Sequence, residues 1–383
     1  MERLTPRERF VRTMRYQVVD RVPYCEMTLW GQTLERWQQE GMPMIERDLL
    51  GPMGLRAGCE YFGLDRRDFA DIRLDALPPY AETVLEETDR YRVFIDAEGS
   101  TRRALKDGEA HGTRMSMDTF IDFPAKTREE WGLFKQRFDP HAPARYPKWW
   151  NEKIKVWAER DYPVALPANS EHAFGLYSWL RRCMGTINAC LVFYDDPAFA
   201  EELLDFYTDF AMETIHQALH DVQFDYFNIF EDMAGKGGPL VSPKIMKAFM
   251  LPRYRRVTDF LHNHGVEFIS MDSDGDMRPL IGLLLEGGIN CLWPLEPASG
   301  MDPMALRKEF GRDLRLWGGI DKRELAKGRK EIERELVSKI PSLLDQGGYI
   351  PMLDHDVPPD VPYDNFLYYL ELRRRICEGR YGA

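Results

Sequence analysis

Several signals that assign proteins to common classes are missing from this chain of 383 residues. Its six cysteines (Cys25, Cys59, Cys183, Cys190, Cys291, Cys377) are scattered and form no Cys-x-x-Cys pair. That pattern predicts reduced thiols in a cytoplasmic protein rather than a disulfide framework. No apolar run approaches the ~20 residues of a membrane span, and Met1 to Pro6 lack the apolar core of a signal peptide. Positive charge is in deficit: a net charge of −12 argues against nucleic acid and anionic membrane surfaces as partners. The same deficit argues against a substrate with many carboxylates unless basic groups gather in the pocket. There is no internal repeat and no Gly-rich phosphate fingerprint of the Rossmann or P-loop type.

What remains is an ordinary globular composition, 44% hydrophobic and 30% charged, at a length that an α/β barrel with insertions reaches as a single domain, here residues 1–383. Thr5 and Glu8 form a capping box with Pro6 at the first helical position, so a helix follows. Asp20 to Met27 reads as a first short strand. From about 80 to 106, short alternating runs between Asp, Glu and Gly turns predict an antiparallel hairpin or meander inserted at the barrel mouth. Residues 121–160 read as a helical connection.

Beyond Asp161 apolar runs recur at 163–167, 224–230, 266–271, 290–295, 314–320 and 349–353. Helical patterns separate them, opened by Asp196-Pro197, Ser242-Pro243 and Asp302-Pro303. Counted with the run near residue 24, this alternation predicts seven or eight β/α units and a (β/α)8 TIM barrel, with a doubly wound sheet as the alternative.

Barrel chemistry sits at the C-terminal ends of the strands. Read in that way, the strands end on Glu26, on Asn169-Ser170-Glu171-His172, on Glu231-Asp232, on Asp272-Ser273-Asp274-Gly275-Asp276, on Glu296, on Asp321 and on Asp354-His355-Asp356. Helix capping accounts for Asp276 and Asp321 but not for the whole rim. One reading places Asp272, Asp274, Glu231 and His355 around a divalent metal, since oxygen and nitrogen donors suit Zn²⁺, Mn²⁺ or Fe²⁺. His355, Asp272 and Glu231 would then be catalytic, with Glu171, His172, Glu296 and Tyr177 contacting a small-molecule substrate. The bland alternative makes 272–276 a solvated turn and gives His355 a hydrogen bond to a neighbouring carbonyl. An EF-hand is excluded, because the distal bidentate Glu is missing. His262 and His264 fall at a helix C-terminus, where imidazolium suits the dipole, and read as structural. Arg181 and Arg182 are candidate anion holders, with surface ion pairing as the alternative for at least one of them.

The run Gly347 to Pro362, the stretch Thr5 to Pro23, Tyr194-Asp195-Asp196-Pro197, Glu231-Asp232 with its following Gly-Pro-Leu-Val-Ser-Pro, and Leu316 to Asp321 together resemble the uroporphyrinogen decarboxylase superfamily. That superfamily includes porphyrinogen decarboxylases and corrinoid-dependent methyltransferases. The decarboxylase branch carries an Arg-Gln-Ala-Gly-Arg motif after the first Val-Pro, whereas this chain reads Glu26-Met27-Thr28-Leu29-Trp30-Gly31-Gln32. Without those guanidinium forks an octacarboxylate tetrapyrrole has no partner. The methyltransferase branch holds zinc through a His-x-Cys pair and a later Cys; the matching positions here are Asp272-Ser273-Asp274 and His355. The resemblance therefore implies a metal-dependent methyltransferase, with zinc the first candidate metal and the corrinoid supplied by a partner protein. The alternatives are a metal-free decarboxylase or lyase acting on a small acid or tetrapyrrole-related substrate, and a non-catalytic binding or regulatory barrel. A homodimer is compatible with the fold, although no segment marks its interface.

Overall fold

The alternation beyond Asp161 builds, in the computed structural model of the chain, a single curled sheet of parallel strands. The structure describes residues 3–43, 60–107, 117–166 and 173–381, together with the backbone of 109–110 and 113–114. Seven strands lie side by side in chain order: β1 (Asp68–Phe69), β2 (Val164–Leu166), β3 (Tyr226–Phe230), β4 (Phe268–Asp272), β5 (Cys291–Leu295), β6 (Arg315–Gly318) and β7 (Tyr349–Ile350). Every neighbouring pair is parallel.

The expected strand around residues 22–27 is extended chain without a ladder. It touches both edges of the sheet: Leu29 makes an isolated parallel bridge to Val357, and Asp65 N donates to Tyr24 O at 2.8 Å. Two local causes break the ladder. Pro23 has no N–H to give, and the N–H of Tyr24 goes to the Asp65 carboxylate at 2.8 Å.

Side-chain alternation divides the core in two. Inside the curl lie Ala165, Tyr226, Phe268, Cys291, Trp293, Trp317 and Ile350, while Phe227, Ile229, Ile269, Met271, Leu292 and Leu316 pack outward into the helical layer. Helix α1 (Pro6–Met14), capped by Thr5 and Glu8 as expected, covers the N-terminal end of the sheet. Its Phe10 ring lies 5.0 Å from Tyr226 and 5.8 Å from Trp317. Asn228 Oδ1 accepts from Ser270 Oγ at 2.7 Å and from Trp293 Nε1 at 2.8 Å, so a polar group inside the curl is satisfied.

Four further helices frame the site: α2 (Leu176–Asp195), α3 (Pro197–Asp221), α4 (Leu251–Asn263) and α5 (Tyr363–Cys377). Asp196 caps α3 by accepting from Phe199 N, as its Asp-Pro start implies. Ser242 opens a helical turn whose i→i+5 stretch, Met246–Met250, precedes α4. Pro252 supplies the reason, because it has no N–H for an i→i+4 bond. The inserted meander is larger than expected: strands 83–87, 91–95, 101–105 and 119–122 form one antiparallel sheet in the connection that leaves the C-terminal end of β1. Among the described residues no helix is long and apolar enough to cross a membrane.

Candidate active site

The C-terminal ends of β4 to β7 bring together Asp274, Glu296, Lys322, Asp354, His355 and Asp356. The pairing of β6 with β7 runs on past the named strands, with Ile320 N donating to Met352 O and Asp354 N to Ile320 O. That extension fixes the Asp-His-Asp triplet on the sheet. Asp354 is fully buried; its Oδ1 accepts from Lys322 N at 3.0 Å and lies 3.3 Å from Lys322 Nζ. Its Oδ2 is buried with no hydrogen-bond partner among the described residues. Burial pushes the Asp354 carboxyl up to about 6, against the pull of Lys322.

His355 Nε2 lies 3.6 Å from Asp274 Oδ2, an ion-pair distance. Burial opposes its protonation, but the Asp274 carboxylate and then Asp356 override burial and push the imidazole up to about 9. Asp356 is anchored by Thr28 N at 3.0 Å, and burial pushes its carboxyl up against the pull of His355. Glu296, just after β5, holds the turn that follows β4: its Oε2 accepts from Gly275 N at 2.9 Å, and its Oε1 lies 3.9 Å from Lys322 Nζ. Gly275 is needed there. At its φ of +80° a Cβ would meet the Ala234 carbonyl carbon at 2.6 Å.

Other expected site residues stand elsewhere. Glu231 continues the outward-facing set of Phe227 and Ile229, and both of its oxygens are spent on the start of α2. Oε1 accepts from Leu176 N, from Tyr177 N at 3.2 Å and from Tyr254 Oη at 2.5 Å; Oε2 accepts from Ser178 N at 3.0 Å. A carboxylate on a helix N-terminus is a structural arrangement. Tyr177 is buried with its hydroxyl 3.4 Å from Cys190 Sγ, and Phe174 and Trp179 stack on Tyr207 in the helical layer. Asp272 belongs to the inward-facing set of Phe268 and Ser270 and is buried at the mouth. Glu171 and His172 lie outside the described residues. Arg181 pairs with Asp232 at 2.9 Å, as the surface reading required. Asp321 caps the helix after β6, whereas Asp276, which accepts from Arg278 N, stands one residue before the cap position Met277.

The four expected metal ligands do not fit a common ion in this arrangement. No three of Asp272, Asp274, Glu231 and His355 bring ligand atoms within 4.8 Å of one another. Glu231 is engaged by four donors.

Lys322 had no place in the sequence reading, although it directly follows the Gly-Gly-Ile-Asp strand end. Glu26 has a structural partner: its Oε1 accepts from Tyr369 Oη at 2.6 Å and pairs with the buried Arg373, and its Oε2 accepts from Leu353 N at 3.1 Å.

The family model for uroporphyrinogen decarboxylase (URO-D) matches residues 162–376, more than half of the chain. The chain belongs to the uroporphyrinogen decarboxylase family. The matched region of this family member runs from β2 through α5 and contains the whole strand-end cluster. No curated protein matches the sequence. Among 31 matching chains of solved structures, a methyltransferase from Methanosarcina mazei is 16% identical, with 97% of this chain and 99% of that chain covered and a TM-score of 0.59. At that identity the likeness is one of fold. The family's fold is a TIM barrel, to which the curled sheet of seven parallel strands conforms.

Proposed function

We propose that this uroporphyrinogen decarboxylase family member moves a methyl group from a small methylated substrate, a methoxy compound or a methylamine, to a corrinoid held by a separate protein. The observation that carries the reading is the pairing of His355 Nε2 with Asp274 Oδ2, 3.6 Å apart on the strand ends, which favours the protonated imidazole. A methyl carbon leaves an ether oxygen only when the oxygen can keep the bonding electron pair. As that C–O bond breaks, the pair stays on oxygen and His355 gives its proton there, a step in which general acids contribute roughly 10²–10⁴-fold. Asp274 and Asp356 hold the imidazole charged and oriented for that transfer. The corrinoid, when bound, supplies the nucleophile that accepts the methyl carbon. No step is assigned to a metal, because the expected ligands do not converge.

The fold shared with a methyltransferase supports methyl transfer. So does the absence of an arginine pair in Glu26 to Gln32, where Glu26 is instead tied to Arg373. We read the chain as one (β/α)8 domain with residues 22–29 in the eighth strand place. Cys183, Cys190, Cys291 and Cys377 are free thiols, which supports a reducing, cytoplasmic setting.

The test is a panel of ¹³C-methyl ethers and methylamines incubated with reduced cobalamin, with metal content measured in parallel. Wild type forms methylcobalamin, and folded His355→Gln does so about 100-fold more slowly or worse. No product from wild type under any condition, or full activity in His355→Gln, overturns the proposal. Metal that leaves with His355→Gln restores the metal-dependent form of the reaction.

A second reading rests on Asp354, whose buried carboxyl is lifted to about 6 with one oxygen unpartnered. Decarboxylation of a small acid breaks a C–C bond, leaves the electron pair on carbon and needs a proton there, which Asp354 would deliver. Release of CO₂ from a carboxylic acid, abolished by Asp354→Asn, would select this reading over methyl transfer.

A further inference from the structure

Three imidazoles meet on the outside of the fold, at the end away from His355. His216 and His220 sit one turn apart on α3, and His264 is the residue that closes α4. Helix α3 leads into β3 and α4 into β4, so both helix C-termini lie at the N-terminal end of the sheet, the end associated with stability rather than catalysis. One ring nitrogen from each histidine lies within 4.8 Å of the other two. The Nε2 atoms of His216 and His220 are 3.0 Å apart. A tetrahedral zinc with metal–nitrogen bonds of 2.0–2.1 Å holds its nitrogens about 3.3 Å apart. His264 Nδ1 donates to Phe260 O at 2.8 Å, which leaves the lone pair on Nε2 and orients the ring, as the outer hydrogen bond of a metal-binding histidine does. The rings of His216 and His220 each lie 5.4 Å from that of His264.

A hydrogen bond between His216 and His220 would account for two of these rings. It does not account for the third ring turned edge-on toward the same point. The field at the site also favours a cation, because the negative ends of α3 and α4 converge there.

We propose that His216, His220 and His264 bind a borderline divalent cation of the zinc class, with water completing the coordination, and so clamp α3 to α4. Imidazole donors suit zinc, copper and nickel and disfavour magnesium and calcium. The two exposed rings leave room for the water ligand. This site is independent of the reaction proposed above.

The experiment is a zinc titration of the full chain, stripped with chelator and then freed of it, with a chromophoric competitor reporting bound Zn²⁺. Wild type, His220→Gln, His264→Gln and His355→Gln are compared, and thermal melts are run with and without Zn²⁺. Wild type and His355→Gln are expected to hold one equivalent and to melt higher with zinc. In His220→Gln and His264→Gln the affinity falls at least ~10-fold and the zinc-dependent rise in Tm disappears. Co²⁺ in place of zinc gives wild type the visible bands of a tetrahedral ion. Magnesium leaves all four proteins unchanged. No zinc bound by wild type, equal binding in His264→Gln and wild type, or an equivalent lost only with His355→Gln would each overturn the proposal.

Discussion

Replacing Asp274 by Asn removes the charge that holds the His355 proton and leaves a side chain of the same shape. In wild type the imidazole is pushed up to about 9 by Asp274, with Asp356 behind it, in spite of burial. Asp356 still faces the ring in Asp274→Asn, and the Asp274 side chain is 43% exposed, so solvent screens part of its field. The midpoint should therefore fall by about 1–2 pH units, or about 1–3 kcal/mol at 1.36 kcal/mol per unit. The folded imidazole binds its proton more tightly than the unfolded one, whose pKa is about 6.5. The stability that the pair contributes is thus complete below about pH 6.5 and is lost as the pH rises through about 9. Wild type should exceed Asp274→Asn in unfolding free energy near pH 6, and the two should coincide near pH 10. Carbon-13 labelling of the eight histidines, with His355→Gln to assign the signal, reads the midpoint directly. Urea denaturation at the two pH values reads the linked energy. If His355 titrates near 6.5 in wild type, or at the same pH in both proteins, the assignment of His355 as a held proton donor is refuted.

Other perturbations test the frame around the site. Glu231→Gln takes the charge from three donors at the buried start of α2 and from Tyr254 Oη of α4, which should cost about 2–4 kcal/mol in urea denaturation; a loss below about 1 kcal/mol would undo the capping role. Arg373→Met leaves Glu26 buried without its cation and should cost about 3–5 kcal/mol, with strong coupling to Glu26→Gln in a double-mutant cycle. Gly275→Ala drives a Cβ against the Ala234 carbonyl at positive φ. It should cost about 1–3 kcal/mol and lower the His355 midpoint together with activity, because the loop that presents Asp274 must move.

Local signals in the chain fixed much of what was found. The capping box at Thr5, the Asp-Pro start of α3 and the apolar runs beyond Asp161 depend on neighbours within a few residues, and each appears within a residue or two of its expected place. The Asp-His-Asp triplet stands at a strand end for the same reason. Which strand-end groups meet was not a local question. Alternation along β3 turns Glu231 outward with Phe227 and Ile229, where the N–H groups of α2 take both of its oxygens. The stretch Asp20 to Met27 reads as a strand because its residue types suit one, while its ladder is broken by Pro23 and by Asp65, more than 40 positions away.

Lys322 shows the same division. Its place after the Gly-Gly-Ile-Asp strand end does not by itself say what it meets, yet the lateral pairing of β6 with β7 places its ammonium 3.3 Å from Asp354. The outer histidine cluster likewise takes two rings from α3 and one from the end of α4, and only the packing of α3 on α4 joins them. The sequence by itself determined the strand and helix order beyond Asp161 and the identities of the rim residues, because periodicity and capping act over a few residues, but not the first strand, Asp68–Phe69. Tertiary structure decided which carboxylates are spent on helix ends, which ones charge His355, and where imidazoles converge. Those outcomes depend on burial and on distances between elements that only the closed packing of the chain sets.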